Sequence, residues 1–181
     1  KNIEEYIKMA DGYDGRELIE LLKKYLKKGS SVLELGMGPG KDFDILSENF
    51  QVTGSDSSSV FLNLNKKRNK AADLILLDAV KMNIDRKFDC IYSNKVLHHL
   101  SKDELKKSLI KQAEVLNNNG LLFFSLWYGD KEESFSGLRF VYYSEETILK
   151  MISSDFDVLE IQRYSEMEKN DSIYIVLRKK S

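Results

Sequence analysis

Short apolar runs alternate with helical patterns along most of this 181-residue chain. Five of the runs have the length and composition of buried strands; they are SVLEL, QVTGSD, DLILLD, KFDCIYSN and LLFFSLW. The stretches between them, such as KDFDILSENF and LKKSLIKQAEVL, favour helices. Strands that alternate with helices predict an open, mainly parallel sheet with helices on both faces. DLILLD is a continuous apolar run, so we expect it to be buried on both faces.

The C-terminal region departs from this alternation. Two strand-like runs, DFDVLEIQRYS and SIYIVLRKK, flank the polar turn EMEKND and predict an antiparallel hairpin. In open parallel sheets, ligands bind at the carboxyl ends of the strands, near the point where the strand order reverses. The residues that directly follow each strand are therefore the candidates for function.

The composition narrows the class of protein. Lys and Arg number 28 against 29 Asp and Glu, so the formal net charge is −1 and gives no global attraction to nucleic acid or membranes. The one cysteine, Cys90, cannot form an intrachain disulfide, fits a reducing compartment and is expected in the core. No apolar stretch approaches the ~18–20 residues of a membrane span, and no Cys/His set has zinc-ligand spacing. We expect a single cytoplasmic domain over residues 1–181, with no metal.

The stretch LELGMGPGKD, residues 33–42, places three glycines directly after the first strand. Glycines there permit a tight turn and let a ligand lie against bare backbone. A dinucleotide loop, G-x-G-x-x-G, would need a glycine where Lys41 stands. A phosphate-binding P-loop would need a glycine at Leu35 and a hydroxyl at Asp42. Both alternatives are disfavoured by the observed spacing, which is Gly36, Gly38 and Gly40.

Two acids follow the second and third strands. Asp56 lies twenty residues after Gly36, where a carboxylate can accept hydrogen bonds from both hydroxyls of a ribose. Asp78 can accept from an exocyclic amino group such as that of adenine, and the small Ala79 leaves room for a ring. Alone, Asp56 could cap a helix and Asp78 could be a solvated acid. Together with the glycines they indicate a nucleoside site.

The fourth strand ends in the segment YSNKVLHHL. Asn94 closes that strand and could meet the polar tail of the ligand, and His98 and His99 begin a short turn. Histidine titrates near neutral pH, so His98 is a candidate general base, with a purely structural role as the alternative.

Four segments in register resemble the class I S-adenosylmethionine-dependent methyltransferases. VLELGMGPG resembles their glycine motif, VTGSDSS their acidic ribose motif and LLDAV their adenine segment. SNKVLHHL resembles the segment after strand four in members that act on small molecules. The likeness runs from about residue 14 to residue 179.

The resemblance implies a Rossmann-like three-layer sandwich, in which a seven-stranded, mainly parallel sheet ends in an antiparallel hairpin. It implies a core over 14–181, preceded by a cap segment over 1–13. The implied cofactor is S-adenosylmethionine, which leaves as S-adenosylhomocysteine. The implied cofactor residues are Tyr13, Glu34, Gly36, Met37, Gly38, Gly40, Asp56, Ser57, Asp78, Ala79 and Asn94.

Within that set the resemblance implies distinct roles. Glu34 and the backbone over 36–40 would hold the methionine part, Asp56 the ribose, and Asp78 with Ala79 the adenine. Tyr13 would fold over the cofactor, or else serve packing alone. The segment 127–143 after the fifth strand would line the acceptor pocket or form an ordered loop with its aromatic residues packed inward. Its candidates for contact with the acceptor are Trp127, Arg139, Tyr142 and Tyr143.

The expected reaction is an in-line transfer of the sulfonium methyl group to a small-molecule acceptor. A DNA amino-methyltransferase usually carries Pro-Pro-aromatic after strand four, whereas this chain reads SNKV and its only proline is Pro39. A cytosine-C5 enzyme needs Pro-Cys, and Cys90 follows Asp89. The alternatives are an RNA or protein methyltransferase, or a non-catalytic S-adenosylmethionine-binding module. A basic run that includes Lys66, Lys67, Arg68 and Lys70 would favour RNA if it were more than a solvated helix end.

Overall fold

The computed structural model describes residues 12–181. Most of the expected cap segment, residues 1–11, therefore lies outside the described residues. The helices are α1 (Arg16–Leu22), α2 (Lys41–Ser47), α3 (Ser59–Arg68), α4 (Lys102–Val115) and α5 (Glu145–Leu149), with a 3₁₀ turn at Leu97–His99. The strands are β1 (Ser31–Glu34), β2 (Gln51–Asp56), β3 (Asp73–Leu76), β4 (Phe88–Asn94), β5 (Leu116–Trp127), β6 (Glu132–Phe135), β7 (Leu138–Val141), β8 (Phe156–Tyr164) and β9 (Ser172–Lys179). In this part of the chain no helix has the length and hydropathy to cross a membrane.

Seven strands form one sheet in the order β3-β2-β1-β4-β5-β9-β8. The first five are parallel, and β9 runs antiparallel to both β5 and β8. The seven-stranded, mainly parallel sheet and its terminal hairpin are thus confirmed. The chain moves outward from β1 to β3 on one side and then returns to β4 on the other. The strand order therefore reverses between β1 and β4, where a ligand crevice is expected.

The two faces of the sheet are both covered. Because side chains alternate along a strand, Val32 and Leu33 of β1 point to opposite faces. Val32 packs with α1 and α2, whereas Leu33 packs with α4. The result is a three-layer α/β sandwich. Cys90 is fully buried in the first of these cores, as expected, and burial raises the pKa of its thiol.

The expectation for DLILLD is wrong. β3 pairs only with β2 and forms an edge of the sheet, and Leu76 at its end is 65% exposed. An apolar run has the same appearance at an edge as in the middle of a parallel sheet, and only the strand order distinguishes the two.

The segment 127–143 is a hairpin rather than an irregular loop. β6 and β7 pair so that Phe135 lies opposite Leu138, which leaves Ser136 and Gly137 as a two-residue turn. Both have positive φ, at 50° and 75°, as in the type I′ turns that suit the twist of a hairpin. The hairpin packs against the 3₁₀ turn through Phe140, whose ring stacks on His98.

Candidate active site

The three glycines of the turn between β1 and α2 all have positive φ, at 63°, 50° and 86°. A Cβ on Gly36 would lie 2.6 Å from a methyl carbon of Val96, and one on Gly40 would overlap with the side chain of Asn65. The tight turn that the glycine spacing predicts is therefore present, and side chains are sterically excluded at both positions. Met37, between them, is buried against Phe43. Its backbone N–H donates to the carbonyl of Ser55 at 2.8 Å and its carbonyl accepts from the N–H of Gly40 at 2.9 Å, so this residue supports the turn from within.

Asp56 joins the end of β2 to the glycine turn. One carboxylate oxygen accepts from the backbone N–H of Gly38 at 2.9 Å, and the other accepts from the N–H of Ser58 at 2.8 Å. Each oxygen keeps a further lone pair, which a ribose hydroxyl could use. Asp56 is thus both a local cap and a candidate ribose ligand, while the neighbouring Ser57 is exposed.

Asn65 supports the same turn from α3, and sequence reasoning missed it. The side chain is buried, and its amide nitrogen donates to the carbonyl of Gly38 at 2.8 Å and to that of Phe61 at 2.9 Å. The only signal in the sequence was a polar residue on a helix that faces the glycines. Asn65 and Asp56 hold the carbonyl and the N–H of the same glycine, which restricts the conformation of the turn.

Glu34, at the end of β1, is a buried acid with an unsatisfied oxygen. It is 4% exposed, and one of its carboxylate oxygens has no hydrogen-bond partner within residues 12–181. Burial, and then the charge of Asp42, raises the pKa of Glu34 well above its usual value. A buried carboxylate without a partner is costly. The ammonium group of a methionine moiety would provide the missing partner, so the residue fits the implied cofactor.

Asp42, in the first turn of α2, was used by the sequence analysis only to exclude a P-loop. Its buried carboxylate accepts from the Gly15 backbone N–H at 2.6 Å and from the Tyr92 hydroxyl at 2.8 Å. It also accepts from the side-chain nitrogen of Asn94 at 3.0 Å. Asn94 in turn accepts a hydrogen bond from Ser125 at 2.6 Å. Asn94 is therefore held in a network at the ends of β4 and β5.

The remaining cofactor candidates lie nearer to the surface. Asp78 is exposed, and one of its oxygens accepts from the N–H groups of Val80 and Lys81. Ala79 is partly buried, and its carbonyl accepts from Ser108. Tyr13 is 42% exposed and precedes α1. Glu34, Asp56 and Asn94 thus lie together at the carboxyl edge, with Asp78 just beyond β3.

His98 lies in the 3₁₀ turn that follows β4 at the same edge. It is 2% exposed, and neither ring nitrogen has a hydrogen-bond partner in the described part of the chain. Its ring centroid is 5.3 Å from that of Phe140 and 6.4 Å from that of Trp127. Burial, followed by the charges of His99 and Lys95, lowers the pKa of His98 well below its usual value. The imidazole is therefore neutral at neutral pH, and the same environment weakens it as a base.

Lys95 is a further group in this region that sequence reasoning missed. Its ammonium lies 3.4 Å from the centroid of the Trp127 ring, forms an ion pair with Glu166 and donates to Ser172 at 2.8 Å. Burial lowers the pKa of Lys95, although the charge of Glu166 partly opposes this shift. Lys95 and Glu166 are 71 positions apart, so no local motif could reveal the pair.

Of the other acceptor candidates, Tyr143 lies next to Trp127, whose carbonyl accepts from the backbone N–H of Tyr143 at 3.0 Å. The exposed Arg139 pairs with Glu104 at 3.4 Å and Glu132 at 3.2 Å. Tyr143 is fully buried, and burial raises its pKa to about 12. Tyr142 donates to Glu133 at 2.6 Å. Among residues 12–181, no three His, Cys, Asp or Glu side chains are arranged to hold a metal.

Known proteins share both the sequence pattern and the fold. A methyltransferase domain family matches residues 32–120. Ribosomal protein L11 methyltransferase of Thermosipho melanesiensis is 33% identical over 112 residues, which are 58% of this chain and 41% of that protein. Probable tRNA methyltransferase 9B of Mus musculus is 31% identical over 103 residues, 56% of this chain and 22% of that protein. The chain thus spans less than half the length of these two relatives.

A solved structure extends the comparison to nearly the whole chain. It is 1,6-didemethyltoxoflavin-N1-methyltransferase of Burkholderia thailandensis, with bound 1,6-didemethyltoxoflavin and S-adenosylhomocysteine. The TM-score is 0.83 at 18% identity, and the match covers 98% of this chain and 83% of that chain. The methyltransferase domain model thus matches just under half of this chain, and the shared fold extends the likeness to nearly all of it.

Proposed function

We propose that this chain binds S-adenosylmethionine at the carboxyl edge of β1, β2 and β4 and transfers its methyl group to a small-molecule acceptor. One observation carries the proposal. The glycine turn and Asp56 are joined by a hydrogen bond beside the reversal of strand order, next to a buried carboxylate of Glu34 without a partner. The glycine turn would lie along the methionine moiety of the cofactor, Asp56 would meet its ribose, and Glu34 would meet the ammonium group of the methionine moiety.

The chain's own residues would bind and orient the reactants. Glu34 accepts from the ammonium group, the glycine backbone lies along the methionine moiety, and Asp56 accepts from the ribose hydroxyls. Asp78 and Ala79 border the adenine. The cofactor, when bound, supplies an electrophilic methyl group. Alignment of an acceptor atom with that group can in principle contribute about 7–11 kcal/mol.

His98 would act where the acceptor must lose a proton. It is neutral, its nitrogens have no partners within 12–181, and it follows the strand that closes the cofactor site. A neutral imidazole can accept a proton from an N–H or O–H acceptor as the methyl bond forms. His98 would then be the general base of the reaction.

A small-molecule acceptor is supported by the aromatic side chains around His98. Phe140 and Trp127 both face its ring, under a hairpin that covers the 3₁₀ turn. The structural neighbour from Burkholderia contains a small heteroaromatic acceptor. The names of the two relatives indicate protein and tRNA instead.

The basic run on α3 gives limited support to RNA. The ammonium of Lys66 donates to the carbonyl of Ala72, and Arg68 pairs with Asp44. Lys66 and Arg68 therefore have partners within the chain. The ion pair of Arg68 with Asp44 is exposed, and such a pair contributes little to stability and would not prevent binding of phosphate.

Calorimetry with S-adenosylmethionine and S-adenosylhomocysteine tests cofactor binding. We expect saturable binding by the wild-type chain and none detectable for Asp56→Ala. Asp85→Ala is the matched control, since it removes an exposed acid away from the site and should bind like the wild type. Thermal melting shows whether Asp56→Ala stays folded. Undiminished binding by a folded Asp56→Ala protein would contradict the assignment.

An assay for S-adenosylhomocysteine release tests the acceptor. The panel contains planar heteroaromatic N–H compounds, phenols, alkylamines, total tRNA and ribosomal protein. Turnover with a small molecule supports the proposal, and turnover only with tRNA or protein overturns the acceptor class. Tight cofactor binding without turnover on any of them would identify a non-catalytic binding module.

A further inference from the structure

The segment that precedes α1 is fixed to the carboxyl edge of the sheet by one buried carboxylate. The backbone N–H of Gly15 donates to one oxygen of Asp42 at 2.6 Å. The other oxygen accepts from the Tyr92 hydroxyl at 2.8 Å and from Asn94 at 3.0 Å. Asp42, at 9% exposure, thus links the start of the described chain to α2 and β4.

Close packing at Gly15 shows that this contact is tight. A Cβ there would overlap with the oxygens of both Asp42 and Tyr92. The backbone of Gly15 has φ −85°, which any residue can adopt. The need for glycine therefore comes from the close approach of the segment to Asp42, and not from the conformation of the chain.

The anchor lies beside the proposed cofactor site. Asn94 ends β4, and Glu34 ends the neighbouring strand β1. Glu34 pairs in register with Tyr92 of β4. Asp42 accepts from the hydroxyl of Tyr92. Gly15, which donates to Asp42, therefore lies at the edge at which the methionine moiety would bind, and the exposed Tyr13 is two residues before it.

We propose that Asp42 is a positioning residue that anchors the segment 12–15 across the mouth of the cofactor site and so slows the release of the cofactor. The inference rests on the proposed function for its cofactor part. Asp42 acts through Gly15 and Asn94 and has no assigned contact with the reacting atoms.

Stopped-flow measurement of S-adenosylhomocysteine binding tests the proposal. Asp42→Ala should raise the dissociation rate about tenfold, the factor that corresponds to about 1.4 kcal/mol, with an association rate within about twofold of the wild type. Gly15→Ala should raise the dissociation rate similarly. In this variant Asp42 is not substituted, but the added methyl group forces the segment 12–15 away from it. If both act through one contact, the double variant should be no worse than either single variant.

Glu48→Ala is the matched control, at the other end of the same helix. Glu48 is exposed and directly follows the last residue of α2, so its loss should leave the dissociation rate unchanged. Asp42→Asn keeps one accepting oxygen and should fall between the wild type and Asp42→Ala. Dissociation rates that equal the wild type in both folded Asp42→Ala and Gly15→Ala overturn the proposal, as does an equal increase in Glu48→Ala.

Hydrogen exchange separates this proposal from the proposed function. The amide of Gly15 should exchange slowly in the wild-type chain and faster in Asp42→Ala, with no cofactor present. If the wild type binds no cofactor, the proposed function fails, whereas slow exchange at Gly15 would still show the anchor. Fast exchange at Gly15 in a wild-type chain that binds cofactor would show that the anchor is wrong and the function right.

Discussion

The two ends of the site are built in different ways. The central part of the proposed cofactor half, which is Glu34, the glycine turn 36–40 and Asp56, comes from one contiguous stretch, and Asp78, Ala79 and Asn94 are added from later strand ends. The proposed acceptor half comprises Lys95, His98, Trp127, Phe140 and Glu166, which come from four separate segments. Backbone groups and glycine conformations dominate the first half, and side-chain rings and charges dominate the second.

The two halves also differ in which of their buried polar atoms lack a hydrogen-bond partner. In the cofactor half, Asp56 is held by two backbone N–H groups, and one oxygen of Glu34 is left without a partner in the described chain. In the acceptor half, both nitrogens of His98 are without partners there. Buried polar groups normally find partners. Ser93, Gln112, Tyr143 and Tyr164 also have buried side-chain atoms without partners among residues 12–181, but Glu34 and His98 are the two that we propose to meet ligands.

The largest effect is expected on turnover, and it distinguishes the acceptor half from the cofactor half. His98→Ala should lower methyl transfer to an acceptor that must lose a proton by about 10²–10⁴-fold, because the general base is lost. Cofactor affinity, measured by calorimetry, should be unchanged. Since the pKa of His98 is lowered, the wild-type rate should be constant around neutral pH and fall only when the pH drops through that lowered pKa. Unchanged turnover in His98→Ala would remove the base assignment.

The next effect belongs to the cofactor half. Gly40→Ala should destabilise the fold by about 2–3 kcal/mol, from a left-handed φ and the displacement of Asn65 from Gly38. Cofactor affinity should fall with it. Gly137→Ala is the control for the positive φ alone, since no atom lies within 4 Å of its added Cβ. Equal destabilisation in both, by urea unfolding, would show that the contact with Asn65 contributes nothing.

A smaller effect tests whether the acceptor half is independent of the cofactor half. Lys95→Met should destabilise the fold by about 2 kcal/mol, because it leaves a mostly buried Glu166 without its cation. Glu166→Gln in the same chain should restore much of that loss, and cofactor affinity should stay near the wild-type value in both. A marked loss of cofactor binding in Lys95→Met would show that the two halves are coupled.

The smallest effect concerns a conflict between stability and binding within the cofactor half. The pKa of Glu34 is raised above 4.5 in the folded chain, so the stability it contributes is present below pH 4.5 and is lost as the pH rises through the raised value. Glu34→Gln should therefore be about 1 kcal/mol more stable at pH 8 without cofactor. It should also bind S-adenosylmethionine more weakly. A variant that is less stable at pH 8 would contradict the buried, unpaired carboxylate.

The proposed cofactor half is easier to recognise in the sequence than the proposed acceptor half, for a physical reason. A ligand that lies on backbone needs glycines and one acid at fixed spacing, and these remain visible in a contiguous motif. Lys95 meets Glu166 only after the sheet brings the end of β4 next to the loop before β9. The burial of β3 was mispredicted for a related reason, because strand order is a long-range property.

Local patterns also leave side-chain direction open. Arg139 was a pocket candidate as a cation near aromatic residues, yet it pairs with Glu104 and Glu132 on the surface. Asp42 appeared only as a mismatch to a P-loop, although it accepts three hydrogen bonds at the centre of the edge.

Trp127 is the only tryptophan of the chain, and the ammonium of Lys95 lies over one face of its ring. Its emission therefore reports on the acceptor half alone, whereas far-ultraviolet circular dichroism reports on every helix and strand. If the halves unfold together, the two signals will give the same midpoint in denaturant. A fluorescence midpoint at lower denaturant would show that the acceptor half opens first. The chain thus contains its own optical probe for comparing the two halves.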